Sequence, residues 1–174
     1  MSETSVEVIR RYLQDAVTAS KETEVYLQKL ASETSEPKIK QVFQHLAVEA
    51  KTQRDRFATR LADLGVSSTS IHGLLSHLLA LASKAPHVGQ KEDHRTIRNL
   101  IAAFATEHGK AALCEAIANM AQAASDYDTA DLARSIRDEA RVSAQQVWHA
   151  LPDSHIEARQ YSQDTTATED TLDR

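Results

Sequence analysis

The sequence predicts an all-α protein: a single antiparallel bundle of four long helices, with a short extra helix in the crossover between its two halves. Three observations carry this reading. Of 174 residues only 4 are Gly and 3 are Pro, and aromatics make up 5%, while Ala, Leu, Glu, Gln and Arg dominate, a mixture that favours helix over strand. Apolar residues recur in steps of three and four along most of the chain, the period of a helix with one buried face. The pattern around Val42–Gln53 (VFQHLAVEAKTQ) then returns ninety positions later: Leu27-Gln28-Lys29-Leu30-Ala31 falls on Ile117-Ala118-Asn119-Met120-Ala121, and Leu46-Ala47-Val48-Glu49-Ala50 on Ile136-Arg137-Asp138-Glu139-Ala140. Two related helical hairpins are the simplest source of such a repeat.

Each element has its own justification. Ser2–Thr4 can cap a first helix whose inner side reads Val6, Ile9, Leu13, Ala16, Val17, Ser20, Glu24, Leu27 and Ala31, because Ser and Thr hydroxyls accept from the free amides of a first turn. Residues 32–37 form a turn, with Ser35 the candidate N-cap and Pro37 near the first helical position, where its missing N–H costs nothing. The second helix presents Ile39, Phe43, Leu46, Ala50, Gln53, Phe57, Leu61 and Leu64, and Gly65 supplies the left-handed residue that ends it. These two form hairpin 4–64. A loop leads to a crossover helix over 71–84, apolar from Ile71 to Ala82, and residues 86–91 break the chain again. The third helix carries Ile97, Leu100, Ile101, Phe104, Glu107, Ala111, Cys114, Ala118 and Ala121 inward. Ser125–Asp128 is the second turn, and the fourth helix presents Leu132, Ala133, Ile136, Glu139, Ala140, Ser143 and Val147 before Trp148 and Pro152 close it, completing hairpin 94–151. Residues 153–174, rich in Thr, Asp, Gln and Ser, bury too little to offset their ordering entropy and are expected to be a disordered polar tail.

The length suits one domain, residues 1–152, with a real core. A net charge of -5 argues against nucleic acid as a partner, since that needs a clustered basic face. Cys114 is the sole cysteine, so there is no disulfide framework and a reducing compartment, the cytoplasm, is the natural home. The N-terminus lacks the order of a secretory signal, and no apolar run reaches the roughly 20 residues of a membrane span. Nucleotide loops, nucleophile–base pairs and Gly-rich phosphate cradles are absent. Cys114, among Ala, Leu and Ile, reads as a small buried hydrophobe. Tyr127 and Trp148, near helix ends, read as lids on the core.

The residues that stand out chemically are acids on apolar stripes. Glu49 and Glu139 occupy equivalent positions of the repeat, Glu24 interrupts the first stripe and Glu107 the third, and His45 lies one turn before Glu49. Carboxylate-bridged di-metal bundles place an inward Glu on each helix and a His one turn after two of them, because two hard cations need several oxygens and two imidazoles. This chain holds a partial set.

Over roughly Val8–Leu151 the chain resembles ferritin-like proteins of the YciE/YciF type, stress-associated four-helix bundles with an extra connecting helix. The matching residues are Lys29-Leu30-Ala31, Thr34-Ser35, Gln41, Phe43, Glu49 and Gln53 in the first hairpin, and Ala102-Ala103, Glu107-His108, Ala121, Ala130, Leu132 and Glu139 in the second. The resemblance implies a di-iron or di-manganese site, and where it implies further ligands this sequence has Ser20, Lys110, Lys51 and Arg141. No E-x-x-H motif is present.

Three readings follow. In the first, fixed cations neutralise the interior acids, no cofactor is bound, and the protein acts non-enzymatically through its surface or as a homodimer in a stress setting; acids packed together without a cation would instead keep one proton. In the second, Glu24, His45, Glu49, Glu107, His108 and Glu139 hold an iron or manganese pair with weak oxidase or peroxide-scavenging activity. In the third, Ile71–Leu81 is offered to a protein partner or membrane surface.

Overall fold

The computed structural model describes residues 4–66 and 92–169, and the side chains of 4–66 and 95–151. Four helices account for them: α1 (Ser5–Glu33), α2 (Pro37–Asp63), α3 (Glu92–Ala123) and α4 (Tyr127–Glu169). α1 packs along α2 and α3 along α4, and the hairpins meet through α1 against α3 and α2 against α4. The expected all-α antiparallel bundle of four long helices is therefore present among the described residues. The crossover helix expected over 71–84, including Ile71–Leu81, lies outside the described residues.

Local chemistry sets the helix ends. Thr4 caps α1 through a reciprocal box with Glu7, each side chain satisfying the other's backbone amide. α2 starts at Pro37, but its cap is Glu36 and not Ser35: the Glu36 carboxylate accepts from the amides of Lys38 and Ile39, where its charge also meets the positive end of the helix dipole. α2 stops at Gly65, whose φ of 77° is open to a residue without Cβ. Ser125, with φ 61°, turns the second hairpin, and Asp126 caps α4 by accepting from the Thr129 amide at 3.1 Å.

One boundary differs from the sequence reading. α4 runs for 43 residues through Pro152 to Glu169, where a helix end and a disordered tail from 153 were expected. Proline deletes one backbone donor and crowds the preceding turn, yet the Glu-Ala-Arg-Gln stretch at 157–160 consists of good helix formers that carry the helix on.

The core is split. Near the turn of the second hairpin, Ile9, Leu13, Phe57, Leu61, Ile117 and Ile136 form one apolar cluster with small Ala side chains and Cys114. Near the turn of the first, Leu27, Leu30, Ile39, Phe43, Leu46, Leu100 and Val147 form another. Phe43 and Phe57 are fully buried, each burial contributing about 1.5–3 kcal/mol. Polar ties close the ends: Arg60 bridges to Asp126 at 2.6 Å and to Thr129 at 2.8 Å, and Arg95 donates to the carbonyl of Glu33. Some stripe residues face out instead of in. Val6 and Ile101 are 46% and 54% exposed, and Tyr127 and Trp148 are 62% and 58% exposed, so neither aromatic is a lid on the core.

Candidate functional site: a charged layer between the hairpins

Between the two apolar clusters lies a polar layer drawn from all four helices. Ser20, Thr23, Gln53, Glu107, Lys110 and Ser143 in it are all buried, Glu107 to 1% exposure. At its centre is Gln53 of α2. Its Oε1 accepts from Lys110 Nζ on α3 at 2.9 Å, and its Nε2 donates to Glu139 Oε2 on α4 at 3.2 Å. Lys110 Nζ also lies 2.7 Å from Glu107 Oε2 one turn away. At that distance the ammonium compensates the carboxylate directly, and the oxygen has no other partner.

The repeat becomes geometric here. Gln53 and Ser143 follow Glu49 and Glu139 by one turn, and each donates across to the acid of the opposite hairpin: Gln53 to Glu139 and Ser143 Oγ to Glu49 Oε2 at 2.7 Å. Ser20 and Lys110 are likewise equivalent under the ninety-residue offset, and both line the same small cavity of about 10 Å³, with Thr23, Phe57 and Cys114. That is close to the space of one water.

Charge balance comes chiefly from arginine and Lys110. Glu139 accepts from Arg56 at 2.6 Å and from Ser135 at 3.0 Å, besides Gln53. Burial pushes its pKa up, but these donors outweigh burial and hold the carboxyl below its usual range. Glu24 is ion-paired to Arg54. In Glu107 burial dominates and the pKa rises despite Lys110, with Glu49 adding to the rise. Glu49 accepts from Ser143 and lies 3.4 Å from His45 Nε2. Burial drives the Cys114 thiol up to about 12, which leaves it without useful thiolate at neutral pH.

The six acids and histidines singled out in the sequence thus separate. Glu49, Glu107 and Glu139 border the layer. Glu24 is engaged by its own arginine, and His45 is an exposed neighbour of Glu49. His108 faces outward, its ring edge-on to Phe104 at 4.4 Å. Of the cations placed at ligand positions, only Lys110 is inside. Lys51 is exposed and paired with Asp55, and Arg141 is exposed and paired with Asp138; one turn after each repeat Glu, the inward positions are Gln53 and Ser143. Sequence reasoning missed Arg54 and Arg56. Both pair with acids on other helices, so spacing along α2 gave no signal for either.

Among the described residues no three of His, Cys, Asp and Glu come together as a set able to hold a metal ion. The donor set does not fit a carboxylate-bridged pair of divalent cations, which calls for free acid oxygens and imidazoles. Here an ammonium sits against Glu107, and Glu139 and Glu24 are engaged by guanidiniums.

The arrangement of four helices in two hairpins recurs in solved structures. The E. coli stress protein YciF matches with a TM-score of 0.78 and 21% identity, over 88% of this chain and 98% of that one. A Xanthomonas campestris protein matches at 0.74 and 19%, over 91% and 98%, and a Dps protein from Bacillus brevis at 0.67 and 18%, over 87% and 99%. The molecule is a ferritin-like helical bundle. No curated protein sequence matches it significantly. It belongs to the family described as a domain of unknown function, DUF892, whose model matches residues 5–160. Among the described residues no helix is long and apolar enough to cross a membrane.

Proposed function

We propose that this protein is a non-enzymatic, cytoplasmic bundle of the ferritin-like class, acting through its surface or as a homodimer in a stress setting, with an interior neutralised by its own cations in place of bound iron or manganese. The observation that carries the reading is the Lys110 ammonium, buried against Glu107 and bonded to Gln53. Burying a charge is costly unless it is paired. An ammonium among interior acids is therefore tolerated because those acids compensate it, and it reduces the negative charge a divalent ion would need. The likeness to a stress protein supports the setting. The exposed Trp148, in ring contact with Phe104 at 5.7 Å and accompanied by exposed Ile101, offers a surface for association, since Trp anchors interfaces well.

Metal analysis of protein purified from iron- and manganese-supplemented culture tests the first part: far less than one atom per chain is expected, and about two per chain would establish the di-metal alternative. Sedimentation equilibrium tests the second, with Trp148→Ser expected to weaken self-association.

A further inference from the structure

Resting on that reading, we propose that Lys110 is the residue that keeps the interior acids closed to divalent metal, so that replacing its ammonium alone turns the layer into a cation site. Two independent features point there. Glu107 is a carboxylate 1% exposed whose Oε2 has the Lys110 ammonium at 2.7 Å and no other partner. Removing that charge leaves a buried acid that must be neutralised by a proton or by another cation, so divalent metal then competes with protonation alone instead of with a fixed ammonium. The second is space. The cavity beside Lys110 is walled mainly by apolar side chains, Phe57 and Leu113 among them, with the hydroxyls of Ser20 and Thr23 as its neutral oxygens, and truncating the lysine enlarges it into room for an ion with water ligands.

The surroundings supply donors of the right hardness. Glu49 lies near enough to act electrostatically on Glu107, and Gln53 Oε1, released from Lys110, becomes a free neutral oxygen. A glutamate at position 110 adds a further carboxylate on the same face of α3 as Glu107, one turn apart. Oxygen-rich sets of this kind take hard divalent ions.

The test uses the full-length chain and cobalt(II), whose visible bands report its coordination. Wild type, Lys110→Glu, Lys110→Ala and Lys110→Glu/Glu107→Gln are each titrated while thermal midpoint and absorption are followed. Lys110→Glu is expected to gain cobalt bands and a midpoint rise of roughly 5 °C once cobalt exceeds its Kd about a hundredfold. The double variant should lose most of that gain. Lys110→Ala, which adds no charge, should show the same response more weakly and decides the matter if Lys110→Glu fails to fold. A flat response in both single variants, or a gain untouched by Glu107→Gln, overturns the role given to Lys110 and leaves the reading of the native protein standing. Cobalt bands and stabilisation in the wild type overturn both.

Discussion

At the residue scale, Gln53 and the Lys110–Glu107 pair are where single changes cost most. Gln53 is 1% exposed and spends both ends of its amide on other helices. Gln53→Leu leaves Lys110 short of an acceptor and Glu139 short of a donor, and should destabilise by about 2–4 kcal/mol, read from urea unfolding with an unchanged slope. The ion pair is expected to behave non-additively. Lys110→Met alone should cost about 3–5 kcal/mol, because it strands a buried acid, whereas Glu107→Leu/Lys110→Met should come within about 1 kcal/mol of wild type or exceed it. A double variant as weak as the sum of its parts would mean that the pair contributes by packing alone. The sequence revealed part of this layer. Glu49 and Glu139 were legible because the repeat marks them, and Lys110 because the resemblance puts it at a ligand position equivalent to Ser20 under the repeat. Arg54 and Arg56 were not, since their partners Glu24 and Glu139 lie on other helices and pairing across helices leaves no periodic trace. Lys51 and Arg141 went astray for a related reason: their place was inferred from the resemblance, while the angular positions facing the layer belong to Gln53 and Ser143.

At the scale of the helix, ends governed by local rules were readable and those governed by competing rules were not. Gly65 follows directly from its left-handed backbone, and a Cβ added there meets nothing within 4 Å. Gly65→Ala therefore carries only the backbone term, about 1–2 kcal/mol, with Gly65→Asn milder; both are measurable by thermal unfolding. Thr4→Ala should cost about 1 kcal/mol by opening the capping box with Glu7. At the start of α2, Ser35 and Glu36 are both able to cap, and the longer carboxylate prevails because it reaches two amides, those of Lys38 and Ile39. At Pro152 the proline rule met a following run of helix formers and lost.

At the scale of the molecule, stability must respond to acid in opposite senses at two places. Glu139 and Asp126 have depressed pKa values in the folded state, because hydrogen bonds from Arg56 and Gln53 in one case, and from Thr129 and Arg60 in the other, outweigh burial. Their contributions are whole above the ordinary carboxyl pKa of about 4 and fade as pH falls through the lower folded values. Glu107 is raised by burial, so its charged form is a liability that eases as pH falls towards its unfolded value. Net stability should hold or rise slightly on mild acidification and then drop below about pH 4. Urea midpoints measured across that range check the order, and Glu139→Gln should lower the neutral-pH plateau and reduce the acid loss.

The crosswise bonds from Gln53 to Glu139 and from Ser143 to Glu49 have a mechanical consequence. Because the two clasps are related by the repeat and form successive rungs, one turn apart, between antiparallel α2 and α4, sliding one hairpin along the other by a helical turn, about 5.4 Å, must part both together. Fraying from either tip reaches them only after an apolar cluster has opened. The bundle is thus stiff against shear and compliant at its extremities, a difference that pulling the chain along or across its long axis would register as two distinct rupture forces.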